Sequence, residues 1–197
     1  MPTLKAILIG DTSVGKTCIA QRIVHGEFKE TFATIGAANS SVKIESKKYQ
    51  RPIIFNIWDT AGQERYRSLA PMYFNGAGIA FLVFDITKKS SFEALDVFIQ
   101  LLKTKAPEDI KCVLVGNKVD LEENREVSSD DAKAFCENAG IIFYMETSAK
   151  SGVNIKDLFS QAADIDGLHF EPEVTDFTVD VDVSNNQQQQ QNEKSCC

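Results

Sequence analysis

Gly10-Asp11-Thr12-Ser13-Val14-Gly15-Lys16-Thr17 places two glycines, a lysine and a hydroxyl at the spacing that cradles a polyphosphate. Gly10 and Gly15 let the backbone turn and approach phosphate oxygens with no Cβ in the way. Successive N–H groups from Asp11 to Cys18 can then face inward as an anion-binding nest, with the positive end of a helix behind them. Lys16 adds a full charge for the β- and γ-phosphates, and the Thr17 hydroxyl is placed to ligate Mg²⁺. Such a stretch can also be a plain turn. Here an apolar run, Leu4–Ile9, feeds it and a helical pattern carrying Ile19 and Ile23 follows, which is the context phosphate binding needs.

Two further stretches carry suitable groups. Trp58-Asp59-Thr60-Ala61-Gly62-Gln63-Glu64 follows an apolar run. Asp59 can hold Mg²⁺ through a water, Gly62 permits close approach of its N–H to a γ-phosphate, and Gln63 can orient an attacking water. Taken alone, Asp59 reads equally well as a capping aspartate. Asn117-Lys118-Val119-Asp120 follows the apolar run Cys112–Val115. A carboxylate at Asp120 can accept from both the ring N–H and the exocyclic amine of guanine, a donor pair that adenine does not present. Asn117 can tie this loop to the phosphate loop, and the Lys118 stem can lie along the base. Glu146-Thr147-Ser148-Ala149-Lys150 is a weaker signal, whose backbone N–H groups could meet the base carbonyl. Phe28 and Thr34 sit in a polar segment, 26–38, suited to a mobile loop, where Phe28 fits a core aromatic better than a base contact.

The elements that must position these groups are legible as a pattern. Leu4–Ile9, Ile53–Trp58, Ile79–Phe84, Cys112–Val115 and Ile141–Met145 are nearly continuous apolar runs, as strands buried on both faces should be. Val42 and Ile44 alternate with polar neighbours, which predicts an edge strand. Amphipathic helices are expected over Ser91–Lys105, with Ser90 and Glu93 as a capping box, over Ser128–Asn138 with Gly140 as its stop, and over Asn154–Ala163. Alternating strands and helices imply an α/β fold with a mainly parallel sheet covered on both faces. Ligands bind such sheets beyond the carboxyl ends of the strands, where every stretch named above falls.

The 197 residues fit one domain over 1–167 and an appendage over 168–197, and 43% hydrophobic residues suffice for a full core. No apolar run reaches the roughly 18 to 20 residues of a membrane span. The N-terminus has neither secretory nor transit character, so the chain is expected in the cytosol. Its formal net charge of −7 argues against a sequence-independent grip on nucleic acid. Cys18, Cys112 and Cys136 read as small core residues rather than a disulfide framework. Beyond Gly167 an acidic stretch and a Gln/Asn tract predict a disordered tail. Cys196 and Cys197 close it, either as free thiols or as a modification site.

Together these residues resemble the Ras superfamily of small GTPases over about residues 4–165, and within it the Rab family. Ile35-Gly36, Trp58, Arg65-Tyr66-Arg67-Ser68, Tyr73-Phe74-Asn75-Gly76-Ala77 and Leu82-Val83-Phe84-Asp85-Ile86-Thr87 carry the Rab character. Ile35-Gly36-Ala37-Ala38 with Ser68-Leu69-Ala70-Pro71-Met72-Tyr73 is most similar to the early-endosomal subgroup. The resemblance implies a P-loop G domain, a six-stranded sheet with five helices, GTP or GDP bound with Mg²⁺, and slow hydrolysis to GDP. It implies Thr34 joining Thr17 and Asp59 at Mg²⁺, and Phe28, Leu121, Ser148, Ala149 and Lys150 around the base. Gln63 becomes the water-positioning residue, and Ile35, Gly36, Trp58 and Tyr73 an effector surface.

The implied partners are effectors of the GTP form, an exchange factor, a GTPase-activating protein, a GDP-dissociation inhibitor and a prenylation escort. Cys196-Cys197 resembles a double-geranylgeranylation signal, which implies a monomer cycling between cytosol and the cytoplasmic face of endosomal membranes. Lys194 is the only basic residue in that tail beyond Gly167, so a second lipid takes the place of a polybasic patch. The sequence departs from the family in three places. Asn39 stands where Rabs carry an aromatic, the segment between Phe28 and Thr34 is one residue short, and Thr12 puts bulk beside the γ-phosphate position. A weakly hydrolysing scaffold, a P-loop ATPase or kinase, and a step other than early endocytic traffic remain alternatives.

Overall fold

The run Leu4–Ile9 packs both of its faces. Leu4, Ala6 and Leu8 point to one side of a sheet and Ile7 and Ile9 to the other, all of them buried. The computed structural model describes residues 1–29, 34, 36–60 and 70–172. In it this run is β1 (Thr3–Ile9), at the middle of a sheet with β2 (Ala37–Ser46), β3 (Arg51–Thr60), β4 (Ile79–Asp85), β5 (Lys111–Asn117) and β6 (Phe143–Thr147). The order is β2-β3-β1-β4-β5-β6, and only β2 runs antiparallel to its neighbour. The polar–apolar alternation around Val42 and Ile44 lies on that edge strand, as the pattern predicts. β4, paired on both sides, is buried at every position.

The helices are α1 (Lys16–His25), α2 (Ala70–Phe74), α3 (Lys89–Glu93), α4 (Leu95–Lys105), α5 (Ser129–Ala139) and α6 (Ile155–Ala163), with a 3₁₀ turn at Val119–Asn124. Among the described residues there are thus six helices, not five, because the one expected over 91–105 is divided. Ala94 keeps helical angles, but the Val97 N–H bonds the Ala94 carbonyl three residues back, a tightened step between two α segments. The capping box of Ser90 and Glu93 does not form. The helix already begins at Lys89, and it is Ser91 whose hydroxyl donates to the Lys88 carbonyl (2.6 Å) and accepts from the Asp85 N–H (3.0 Å). α5 is capped as its sequence predicts, with Ser128 Oγ accepting from the Asp131 N–H and Gly140 left-handed at its end.

α1 and α6 cover one face of the sheet. Phe159 of α6 sits between Phe55 (centroids 5.6 Å) and Phe81 (5.0 Å). On the other face, Phe92 and Phe135 of α3 and α5 pack in line with Phe84, at 4.9 and 5.0 Å. Cys136 is buried and Cys18 and Cys112 half-buried. Burial pushes the Cys112 and Cys136 thiols up to about 11, so both behave as protonated packing groups.

Two boundaries differ from expectation. β6 starts at Phe143, since Ile141 is buried ahead of the strand while the Ile142 N–H donates to the Cys112 carbonyl. The packed chain also runs past Gly167. Leu168 is buried, Phe170 packs edge-on to Tyr49 at 5.4 Å, and the Glu171 N–H donates to the Thr3 carbonyl at 2.7 Å.

Strand register brings the functional ends level. Leu8 pairs with Asp59, Asp85 with Asn117, and Asn117 with Thr147. Phe159 locks the face beneath them, so Phe159→Ala should cost about 3–5 kcal/mol in denaturant unfolding, and Phe159→Leu clearly less.

Candidate functional site

The loop after β1 needs two left-handed glycines. Gly10 (φ +148) runs so close to β4 that a Cβ there would meet the Val83 carbonyl, and at Gly15 (φ +97) it would meet the Asn117 amide. Ser13 is left-handed as well (φ 62). Gly15 caps α1 without a side-chain bond, and no acidic residue occupies the first turn, so the positive helix end faces the loop uncompensated.

Lys16 is buried (5% exposed), and its ammonium donates to the Gly10 carbonyl (3.0 Å) and the Asp11 carbonyl (2.7 Å). Burial pulls it down to about 8, against the opposing pull of Asp59 and Asp11. Asp59, at the end of β3, is 2% exposed, and burial raises its carboxyl above the usual range despite the Thr17, Lys16 and Thr34 contacts that lower it.

Three oxygens meet there. Thr17 Oγ1 donates to Asp59 Oδ2 at 2.6 Å, Thr34 Oγ1 reaches the same oxygen at 3.3 Å, and the two hydroxyls are 3.0 Å apart. Asp59 Oδ1 is buried with no hydrogen-bond partner. One carboxylate, two hydroxyls and a neighbouring phosphate site form the hard-oxygen set that Mg²⁺ takes, with waters and phosphate oxygens as the remaining ligands. A dedicated cluster of three or more acidic, His or Cys groups is not present among the described residues.

Asn117 ends β5 at 2% exposure and ties the loops together. Its Nδ2 donates to the Val14 carbonyl (2.8 Å), and its Oδ1 accepts from Thr147 Oγ1 (3.3 Å) and the Ala149 N–H (3.2 Å). The Ala149 N–H expected at a base is thus engaged by Asn117 here. Ser148 Oγ donates to Asp120 Oδ1 (2.6 Å), which fixes an otherwise exposed carboxylate. Lys118 is left-handed (φ 72), and Leu121 lies in the 3₁₀ turn that follows. Lys150 is exposed beside the buried Ser148 and Ala149.

Two supports were not legible in the sequence. Lys118 Nζ pairs with buried Asp85 Oδ2 at 2.6 Å, which holds its stem in place. Glu146 Oε1 accepts from Arg125 (2.9 Å), Ser129 (2.6 Å) and the Tyr144 hydroxyl (2.7 Å). Burial works to raise the Glu146 carboxyl, but these bonds prevail and hold it low. Asp85, Arg125 and Ser129 are named only by the packing, since no spacing rule links residues 17 to 33 apart on different elements, whereas Tyr144 and Glu146 are two apart on one face of β6.

Phe28 is 37% exposed and belongs to neither core cluster, so it is not the core aromatic its spacing suggests. Gly36 (φ +77) lies near the Tyr73 hydroxyl, and Tyr73 packs on Trp58 with centroids 5.9 Å apart. Asn39 pairs across the strands with Trp58. Ile35, Gly62, Gln63, Cys196 and Cys197 lie outside the described residues.

Residues 5–165 match the Ras family. The chain is 45% identical over 166 residues to the putative ras-related protein Rab-5B of Dictyostelium discoideum, covering 80% of this chain and 72% of that protein. It is 45% identical over 159 residues to the ras-related protein Rab-31 of Mus musculus (79% of each) and 42% identical over 162 residues to Rab5 of Nicotiana tabacum (81% and 78%).

Asn117→Ala strands three partners in a dry site. It should lower unfolding stability by at least about 2 kcal/mol, measured by denaturant titration with and without guanine nucleotide, whereas an exposed substitution such as Lys133→Ala stays within about 0.5 kcal/mol.

Proposed function

We propose a function from one premise: this chain belongs to the Ras family, and within it to the Rab small GTPases of early-endosomal type. It binds GTP and GDP, hydrolyses GTP, and acts in endosomal membrane traffic. What is proposed beyond that is which residues do this and through which contacts.

The loop 10–17, with Lys16, holds the β- and γ-phosphates. Thr17, Thr34 and Asp59 would hold Mg²⁺. The observation that carries this assignment is the convergence of Thr17 and Thr34 on one Asp59 oxygen while the other is buried without a partner. A cation held there would supply positive charge against the phosphates. Thr34, 17 residues beyond Thr17, then reports whether a γ-phosphate is in place, and Gly62 is assigned the same role. Gln63 orients the attacking water. Asp120, steadied by Ser148, accepts from guanine; Phe28, Leu121, Ala149 and Lys150 complete the base site.

Among the described residues no arginine is placed at the phosphate loop, since Arg22 and Arg125 are engaged elsewhere and Arg51 begins β3, so hydrolysis is slow alone and fast with a GTPase-activating protein. An exchange factor opens the site, and effectors read the GTP form at Ile35, Gly36, Trp58 and Tyr73. Cys196 and Cys197 carry two prenyl chains, delivered by an escort and withdrawn by a GDP-dissociation inhibitor, on a monomer at the cytoplasmic face of endosomal membranes. Nucleic acid is not a partner.

Asp120→Asn tests the base reading. It should weaken GDP by about 10²-fold or more while improving xanthosine diphosphate, because the amide donates where the carboxylate accepted. Unchanged preference for guanine in competition binding would reject the assignment. Gln63→Leu should slow single-turnover phosphate release by at least about tenfold with GTP affinity retained; equal rates would remove Gln63 from the mechanism.

A further inference from the structure

Arg22 stands in the last turn of α1, away from the phosphate loop, and its guanidinium reaches three backbone carbonyls from two distant parts of the chain. Nε donates to the Ala149 carbonyl at 2.8 Å, Nη2 to the Lys150 carbonyl, and Nη1 to the Gly26 carbonyl at 2.8 Å. Ala149 and Lys150 are 127 and 128 residues from Arg22 in sequence, whereas Gly26 is the left-handed cap of α1 itself. Gly152 turns the loop beside Arg22 with a left-handed backbone (φ +87), and a Cβ there would make only ordinary contact, 3.8 Å from Arg22 Cδ.

The loop is therefore gripped from both sides. On one side Asn117 Oδ1 takes the Ala149 N–H and Asp120 takes the Ser148 hydroxyl. On the other side Arg22 takes the two carbonyls. In a trans peptide the C=O and the next N–H point opposite ways, so pinning the Ala149 carbonyl to α1 aims the Lys150 N–H away from α1. A guanidinium spreads its donors over three nitrogens in a fixed planar fork and so spans three separated carbonyls, whereas the three donors of an ammonium all radiate from one nitrogen. The same guanidinium fixes Gly26, from which the segment bearing Phe28 and Thr34 departs.

We infer that Arg22 is a positioning residue that couples the base-side loop, 148–152, to the root of the Thr34 segment. Nucleotide dwell time then depends on a side chain that touches no nucleotide. Loosening at Gly26 frees one donor of Arg22, and the base-side loop loses rigidity with it. This rests on the guanine-nucleotide reading above.

The test follows release of a fluorescent GDP from the full-length protein, as wild type, Arg22→Lys and Arg22→Ala, with hydrogen exchange by mass spectrometry on each loaded form. Arg22→Ala should release GDP about tenfold faster or more, with Arg22→Lys in between, since one charged donor replaces a fork. Exchange should rise in 148–152 and in 24–29 together, and not across the sheet. Unchanged release overturns the proposal. So does a rise confined to one of the two segments, which removes the coupling. A uniform rise across the core, with Arg22→Lys behaving as Arg22→Ala, would mark a general loss of packing and overturn it as well. If wild-type protein fails to retain GDP at all, it is the nucleotide reading that falls.

Discussion

A carboxylate and an ammonium share one dry corner where β1 and β3 end. Asp59 and Lys16 are 2% and 5% exposed, and each is drawn toward its neutral form by burial and toward its charged form by the other. A pair of this kind contributes little stability, because desolvation offsets attraction. Its value lies in charge of both signs held in one buried corner, facing a helix end with no acidic residue in its first turn. A polyanion accompanied by a hard cation matches that distribution group for group: phosphate oxygens for Lys16 and the backbone nest, the cation for Asp59 and the two threonine hydroxyls.

The rest of the fold serves to hold that corner still. Five parallel strands with apolar side chains on both faces cannot slip by one residue without reversing every side chain, so their carboxyl ends stay level. Asn117 then reaches from β5 across to the phosphate loop and to β6, joining three strand ends through one amide. Asp85, on the neighbouring β4, steadies Lys118. On the proposed function, with phosphate at one strand end and base at two others, that alignment is needed before any single side chain matters.

Much of this was legible because it is local. The phosphate loop, Asp59, the Asn117–Asp120 loop and the edge position of the Val42–Ile44 strand each follow from spacing within about ten residues. What the sequence hid is side-chain partnership between distant elements, as in Lys118 with Asp85, Glu146 with Arg125 and Ser129, or Arg22 with the 149–150 carbonyls. Hydroxyl competition misled as well. Ser90 and Glu93 spell a helix start, yet Ser91 and the Lys88–Asp85 backbone settle where the helix begins. The packed C-terminal residues escaped notice for a related reason: Leu168 and Phe170 follow neither a helical nor a strand period, and their partners lie on the β2–β3 turn and in the core.

That C-terminal stretch has a mechanical consequence. Glu171 is stitched to Thr3, the first residue of β1, while the nucleotide residues cluster past the last residue of the same strand. Seven extended residues put roughly 20 Å between the two ends. A pull on whatever follows Pro172 is thus taken up by the amino edge of the sheet and by the Tyr49–Phe170 contact, and meets a stiff parallel array before it can reach Lys16. The domain can be leashed and tugged at one pole while the chemistry at the other pole feels no strain.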